Sequence, residues 1–359
     1  MDAKLLDNVK LLYEKDSKGM LKALAELPHQ CYLACWELPG QLQLEDSVPI
    51  SNIVVTGLGG SAIGGDLLRV YCLDRCSVPV LVNRDYNLPA FVGPDTLLFA
   101  VSYSGNTEET LSAYQQARQK GARIVALTTG GQLAELAQQD GVPWIRIPAG
   151  LQPRAATGFL FIPTLVVLEK LGFLSGVEKE VAELVEHLKT LQKNLAPEVP
   201  LESNSAKQLA LKLHGRIPVI WGASGTSEVV AQRWKGQINE NAKAPAYWNV
   251  LPELNHNELV GFKVPSELLS QLHIVILRDP DDHPRVQKRM AITKEVIAQS
   301  VAGITEVSAS GGNRLARAYS LIYSGDYTSV YLAFLYGIDP GPVEVIDYLK
   351  QALASNGGR

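Results

Sequence analysis

Apolar residues fall into two rhythms along the chain. Short apolar, strand-like runs recur at 53–56, 78–82, 97–101, 124–127 and 144–147, and between them 62–73, 108–120 and 132–139 carry apolar positions every three or four residues. A strand buried on both faces shows no polar side, so it reads as a continuous apolar run, whereas a surface helix is apolar along one stripe. The alternation predicts a parallel sheet covered by helices, of the doubly wound, flavodoxin-like α/β kind. Ahead of it, residues 3–36 read as helical, broken near Ser17–Gly19 and near Pro28. After it come an apolar helix over 155–171 and a charged one over 177–194.

The stretch 195–204 (LAPEVPLESN) has two prolines and no apolar period, which predicts a linker. Beyond it the rhythm restarts, with strands at 217–221, 273–277 and 305–307 and helices at 227–239, 286–299, 313–323, 328–336 and 344–353. VVTGLGGSAIGGD and VIWGASGTSEVVA each run from strand through a glycine-rich, serine-containing turn into a helix. An internal duplication follows: two doubly wound domains in tandem, 1–196 and 197–359, with flanking helices.

Composition narrows the function classes. With 46% hydrophobic and 19% charged residues over 359 positions, the chain can bury two cores and is not disordered. Thirty-seven acidic against 33 basic residues leave no basic field for nucleic acid or an anionic membrane. The most apolar stretch, 158–168, is 11 residues long, against the roughly 20 needed to span a bilayer. Charges run through the first 20 residues without an apolar core, so no signal peptide is read and a cytoplasmic location is expected. Cys31/Cys35 and Cys72/Cys76 sit four apart in apolar helical sequence. That spacing could serve a zinc site, but buried thiols are the plainer reading.

Two turns carry chemistry. Gly57-Leu58-Gly59-Gly60-Ser61 follows the first strand and opens a helix, where bare backbone and free N–H groups suit an anion. The same glycines fit a short dinucleotide fingerprint, and Arg84 after the second strand could serve a 2′-phosphate. Ser102, Ser104 and Thr107 end the third strand, and one N-cap explains one hydroxyl, not three. Hydroxyls and N–H groups at a helix start can hold a phosphate monoester, and a dehydrogenase has no use for this second turn. Arg154 at a helix N-terminus opposes the dipole, so a purpose other than helix stability is expected. Lys350 falls on one helical stripe with Val343, Ile346 and Leu353, so it either snorkels or points into a site.

GLGGS, SYSGNTEET and TTGG (128–131) together resemble the sugar isomerase (SIS) domain family. PRAA (153–156), NENAK (239–243), LPELNHN (251–257) and DPGPVEVIDYLK (339–350) are similar to its bifunctional phosphoglucose/phosphomannose isomerase branch. The resemblance implies that Gly59, Gly60, Ser61, Ser102, Ser104 and Thr107 bind a hexose 6-phosphate. It implies Glu240 as the base that moves a proton between C1 and C2, and Arg154 as the stabiliser of the enediolate. His256, reaching in from a second subunit, and Lys350 would assist ring opening, without metal or other cofactor. By position alone Glu240 reads as a solvated helix-end carboxylate, and His256 as a surface histidine. A sugar-phosphate-binding regulator and an enzyme of amino-sugar phosphates are the competing readings.

Overall fold

The computed structural model describes residues 3–42 and 49–356. Three short helices open the chain: α1 (Val9–Lys15), α2 (Met20–Ala25) and α3 (Leu27–Trp36). The break before α2 has a local cause. The Asp16 carboxylate accepts the Met20 and Leu21 N–H groups at 2.8 and 2.7 Å, and Gly19 turns left-handed at φ 66°. The second break falls near Pro28: α2 ends at Ala25 and α3 starts at Leu27, with Pro28 in its first turn, where a missing N–H costs no helical bond.

The first α/β unit comprises β1 (Asn52–Thr56), α4 (Gly60–Cys72), β2 (Val80–Asn83), β3 (Thr96–Val101), α5 (Glu108–Gln119), β4 (Arg123–Thr128), α6 (Gly131–Gln139) and β5 (Trp144–Arg146). Its strands are parallel in the order β2-β1-β3-β4-β5, the doubly wound order expected. Every residue of β3 is buried, which is why it reads as an unbroken apolar run. Helices α7 (Thr157–Lys170) and α8 (Val177–Leu195) follow.

The second unit comprises α9 (Ser205–Leu213), β6 (Ile217–Ala223), α10 (Thr226–Gln237), β7 (Tyr247–Leu251), α11 (Ser266–Leu269), β8 (Leu272–Arg278), α12 (Pro284–Ile297) and β9 (Gly303–Ser308), then α13 (Arg314–Leu335) and α14 (Glu344–Asn356). Its sheet, β7-β6-β8-β9, is parallel and repeats the order of the first with one strand fewer.

Four departures from the sequence reading have physical reasons. Edge strand β7 is only partly buried, so it lacks the apolar run of a central strand. Helix α9 begins directly after the supposed linker, whose last residue, Asn204, caps it by accepting the Ala206 and Lys207 N–H groups at 3.1 Å each. That stretch is packed, not free: Leu195 and Asn204 are buried, and Lys207 Nζ donates to the Pro197 carbonyl at 2.8 Å. The helices read at 313–323 and 328–336 are one continuous α13, because Gly325 lies against the Trp234 indole instead of breaking the helix.

One apolar cluster runs from Val55 and Phe99 of the first sheet, through α7 and α13, to Ile220 and Val275 of the second. Cys31, Cys35 and Cys72 are buried in it, and burial pushes the Cys35 and Cys72 thiols up to about 12. Among the described residues, no helix is long and apolar enough to cross a membrane.

Candidate active site

Because β1 and β3 lie side by side, with Thr56 beside Ala100, the turns that follow them emerge together at the carboxyl edge of the sheet. Gly57 makes this possible: a Cβ there would lie 2.8 Å from the Val101 carbonyl oxygen. Gly59 then takes φ 54°, and Gly60 starts α4 with buried Ser61. In the neighbouring turn the Ser102 and Thr107 hydroxyls lie 2.9 Å apart, and Ser102 Oγ accepts the Gly105 N–H at 3.1 Å. Thr107 is the N-cap of α5 by position, yet its hydroxyl makes no capping bond and turns to Ser102 instead. Exposed Ser104 accepts the Asn106 N–H at 3.3 Å. Two helix starts and three hydroxyls thus gather at one edge, an arrangement able to take an anion without a cation.

Gly60 also sets the next piece. A Cβ on it would meet the Pro153 carbonyl oxygen at 2.7 Å, so the turn lies directly on the backbone that leads into Arg154. Arg154 is 3% exposed. Its Nε donates to Asn241 Oδ1 at 2.6 Å, and its Nη2 donates to the Pro340 and Gly341 carbonyls at 2.7 Å each. Those bonds use three of the five guanidinium donors and leave Nη1, which stands 3.5 Å from Glu240 Oε2. Burial lowers the Arg154 pKa from its ordinary value, and Glu240 opposes that shift.

Glu240 lies in a π-turn, Ile238–Ala242, that continues α10. Insertions of this kind are rare and frequent at functional sites. Asn241 in the same turn is buried and donates to Ser329 Oγ at 2.9 Å. Behind them, Arg233 Nη2 donates to the Arg154 carbonyl and to Asp326 Oδ2, at 2.8 and 2.7 Å. Gln237 Nε2 donates to Asp326 Oδ1 at 2.8 Å. Arg233 and Asp326 are both buried, so removing either would strand the other's charge.

Glu240 lines two adjoining hollows. One, of about 250 Å³, brings it together with Gly59, Gly60, Arg84, Arg233 and Trp248. The other is a cleft of about 640 Å³ walled by Lys243, Asp339, Val343 and Ile346. Arg84, which the dinucleotide reading would reserve for a 2′-phosphate, is ion-paired with buried Asp66.

His256 and Lys350 are not gathered with these groups. Glu240 precedes β7, while His256 is exposed in the 3-10 turn Glu253–His256 beyond its far end. Five residues of strand separate the two ends, about 17 Å at the usual rise. Val343 and Ile346 face the cleft as the stripe on α14 requires, but Lys350 is exposed one turn further on. Sequence reasoning missed Lys243, Arg233, Gln237 and Asp326. The NENAK stretch contained the first, while Asp326 lies 89 residues beyond its partner Gln237 and gives no local signal.

Two tandem parallel α/β units, the first ending its strands in glycine and hydroxyl turns, define the SIS class of sugar-phosphate proteins. The SIS domain model matches residues 49–160, and the model for the bacterial phospho-glucose isomerase C-terminal SIS domain matches 202–353. A bifunctional phosphoglucose/phosphomannose isomerase of Caldicellulosiruptor bescii is 53% identical over 336 residues, covering 93% of this chain and 99% of that one. Its counterpart in Aquifex aeolicus is 38% identical, covering 86% and 92%. A solved glucose-6-phosphate isomerase like protein from Thermus thermophilus shares the fold, with a TM-score of 0.62 at 24% identity over 95% of this chain and 99% of that one. The chain belongs to the bifunctional phosphoglucose/phosphomannose isomerase family.

Proposed function

We propose that the protein is a cytoplasmic isomerase that interconverts glucose 6-phosphate and mannose 6-phosphate with fructose 6-phosphate. It acts through ring opening and a cis-enediolate. The 6-phosphate rests on Gly59, Gly60, Ser61, Ser102, Ser104 and Thr107. The observation that carries the reading is the 3.5 Å approach of Arg154 Nη1 to Glu240 Oε2 beside the Gly59-Gly60 turn. A carboxylate there can take the proton from C2 and return it to C1, or the reverse. Nη1, its sister nitrogens held by carbonyls and Asn241, is fixed beside the oxyanion that develops.

Ring opening needs a proton donor at the ring oxygen, and within one chain His256 is at the wrong end of β7 to supply it. A homodimer in which His256 of a second copy reaches the Glu240 cleft resolves this. Helix α14 supports the assembly: Val345, Tyr348, Leu349 and Leu353 are all more than half exposed, an apolar face that a second copy would cover. Lys350 would join the site in the same step. The assignment keeps the division at 1–196, with the phosphate turns, and 197–359, with the base.

A coupled assay with glucose 6-phosphate and mannose 6-phosphate, with EDTA present, tests the reading. Turnover of both is expected. Activity on neither would leave a sugar-phosphate-binding regulator as the better account.

A further inference from the structure

Among the described residues, Lys243 is the one non-glycine residue with positive φ, at 52°. Side chains are rare in that left-handed region, so something must hold this lysine there. It closes the π-turn that carries Glu240 and lines the same cleft. Its Nζ donates to three carbonyls: Asn241 at 3.2 Å, Asp339 at 2.9 Å and Pro340 at 3.1 Å. An ammonium has three donors and no acceptor, so none is left for a substrate oxygen.

The Pro340 carbonyl is shared, because it also accepts Arg154 Nη2, which bonds Gly341 as well. Two cations therefore grip one turn, 339–341, from different elements, and that turn leads into Val343 and Ile346 on the cleft wall. Burial and the nearby Arg154 charge lower the lysine's pKa, and Asp339, Glu240 and Glu344 oppose that shift. We propose that Lys243 is a positioning residue for the reaction: it clamps the 339–341 turn so that Arg154 keeps Nη1 aimed at Glu240. The proposal rests on the reading of Arg154 and Glu240 as the reacting pair.

Two variants separate the clamp from a backbone role. Lys243→Gly suits the left-handed φ and deletes the ammonium, whereas Lys243→Met deletes the ammonium alone. Both should lose roughly 10- to 100-fold in kcat with KM within about threefold, as expected when a catalytic group is misplaced. If Lys243 acts through Arg154, adding Lys243→Met to Arg154→Met should cost nothing more. Unchanged turnover in Lys243→Gly beside an inactive Arg154→Met would overturn the clamp alone, as would losses that multiply in the double variant. Full turnover in Arg154→Met would overturn the site assignment and the clamp with it.

Discussion

The turns after β1 and β3 and those after β6 and β8 occupy equivalent places in two sheets of the same strand order, yet they treat polar groups in opposite ways. In the first unit, Ser104 stays exposed and the Thr107 hydroxyl forgoes its helix cap. In the second, Ser227 Oγ is spent on Ala223, accepting its N–H at 2.8 Å and donating to its carbonyl. After β8, three carboxylates replace the hydroxyls. Asp279 accepts Arg317 Nε at 2.9 Å, Asp281 pairs with the same guanidinium, and Asp282 accepts the Asp279 N–H. An anion finds donors at the first edge and negative charge at the second. The second unit serves the site from elsewhere, through the carboxyl end of α10 and the π-turn bearing Glu240. On the proposed reading the first unit holds the phosphate and lends Arg154, and the second supplies the base.

Replacing Glu240 by Gln tests that division most sharply. Turnover should fall by about 10²- to 10⁴-fold, the range for losing a general base, while calorimetric affinity for fructose 6-phosphate stays within about threefold. A variant that binds poorly but turns over normally would place the base elsewhere. Ser104→Ala should do the reverse, raising KM about tenfold, as for one hydrogen bond to a charged group, and lowering kcat less. A loss confined to kcat would mean that the Ser104 turn does more than hold the phosphate.

The smallest effect is expected at the second edge. Burial pushes the Asp282 carboxyl up to about 6 from 3.8, against the opposing hydrogen bond from the Asp279 N–H. Between those values the unfolded chain releases its proton before the folded one does, so stability declines as pH rises through the window. Asp282→Asn should therefore gain on the order of 1 kcal/mol at pH 7.5, after allowing for partial solvation, and nothing at pH 3.5. Thermal melts at the two pH values check this, and kcat should not move. A change in kcat would show that the second edge takes part in the reaction.

The central strands and both chemical turns were legible because burial on two faces leaves unbroken apolar runs, and because glycine and serine mark strand-to-helix turns. Edge strand β7 was not, since its side chains are half solvated. The gap read between 323 and 328 is absent because Gly325 packs on the Trp234 indole, a contact that a sequence does not show. For the proposed site, local pattern pointed to the two turns, whereas Glu240 came from family resemblance. A π-turn has no apolar period to announce it, and the Arg154–Asn241–Pro340 bonds join segments far apart in sequence.

Helix α13 sets an order of events on the chain as it is made. It is buried almost all round and is assembled against distant segments. Tyr323 donates to the Leu24 carbonyl at 2.8 Å, Tyr331 to that of Leu195 at 2.5 Å, and Tyr319 to that of Thr157 at 3.3 Å. Those partners are synthesised well before residue 319. Helices α3, α7 and α8 can pack on one another early, but the faces of α2, α8 and α9 that meet α13 stay uncovered until it leaves the ribosome. The two halves look separable in sequence, yet the apolar cluster they share closes only when the chain is almost complete. The nascent protein therefore carries this uncovered apolar surface late into its synthesis, a period in which chaperones can engage it.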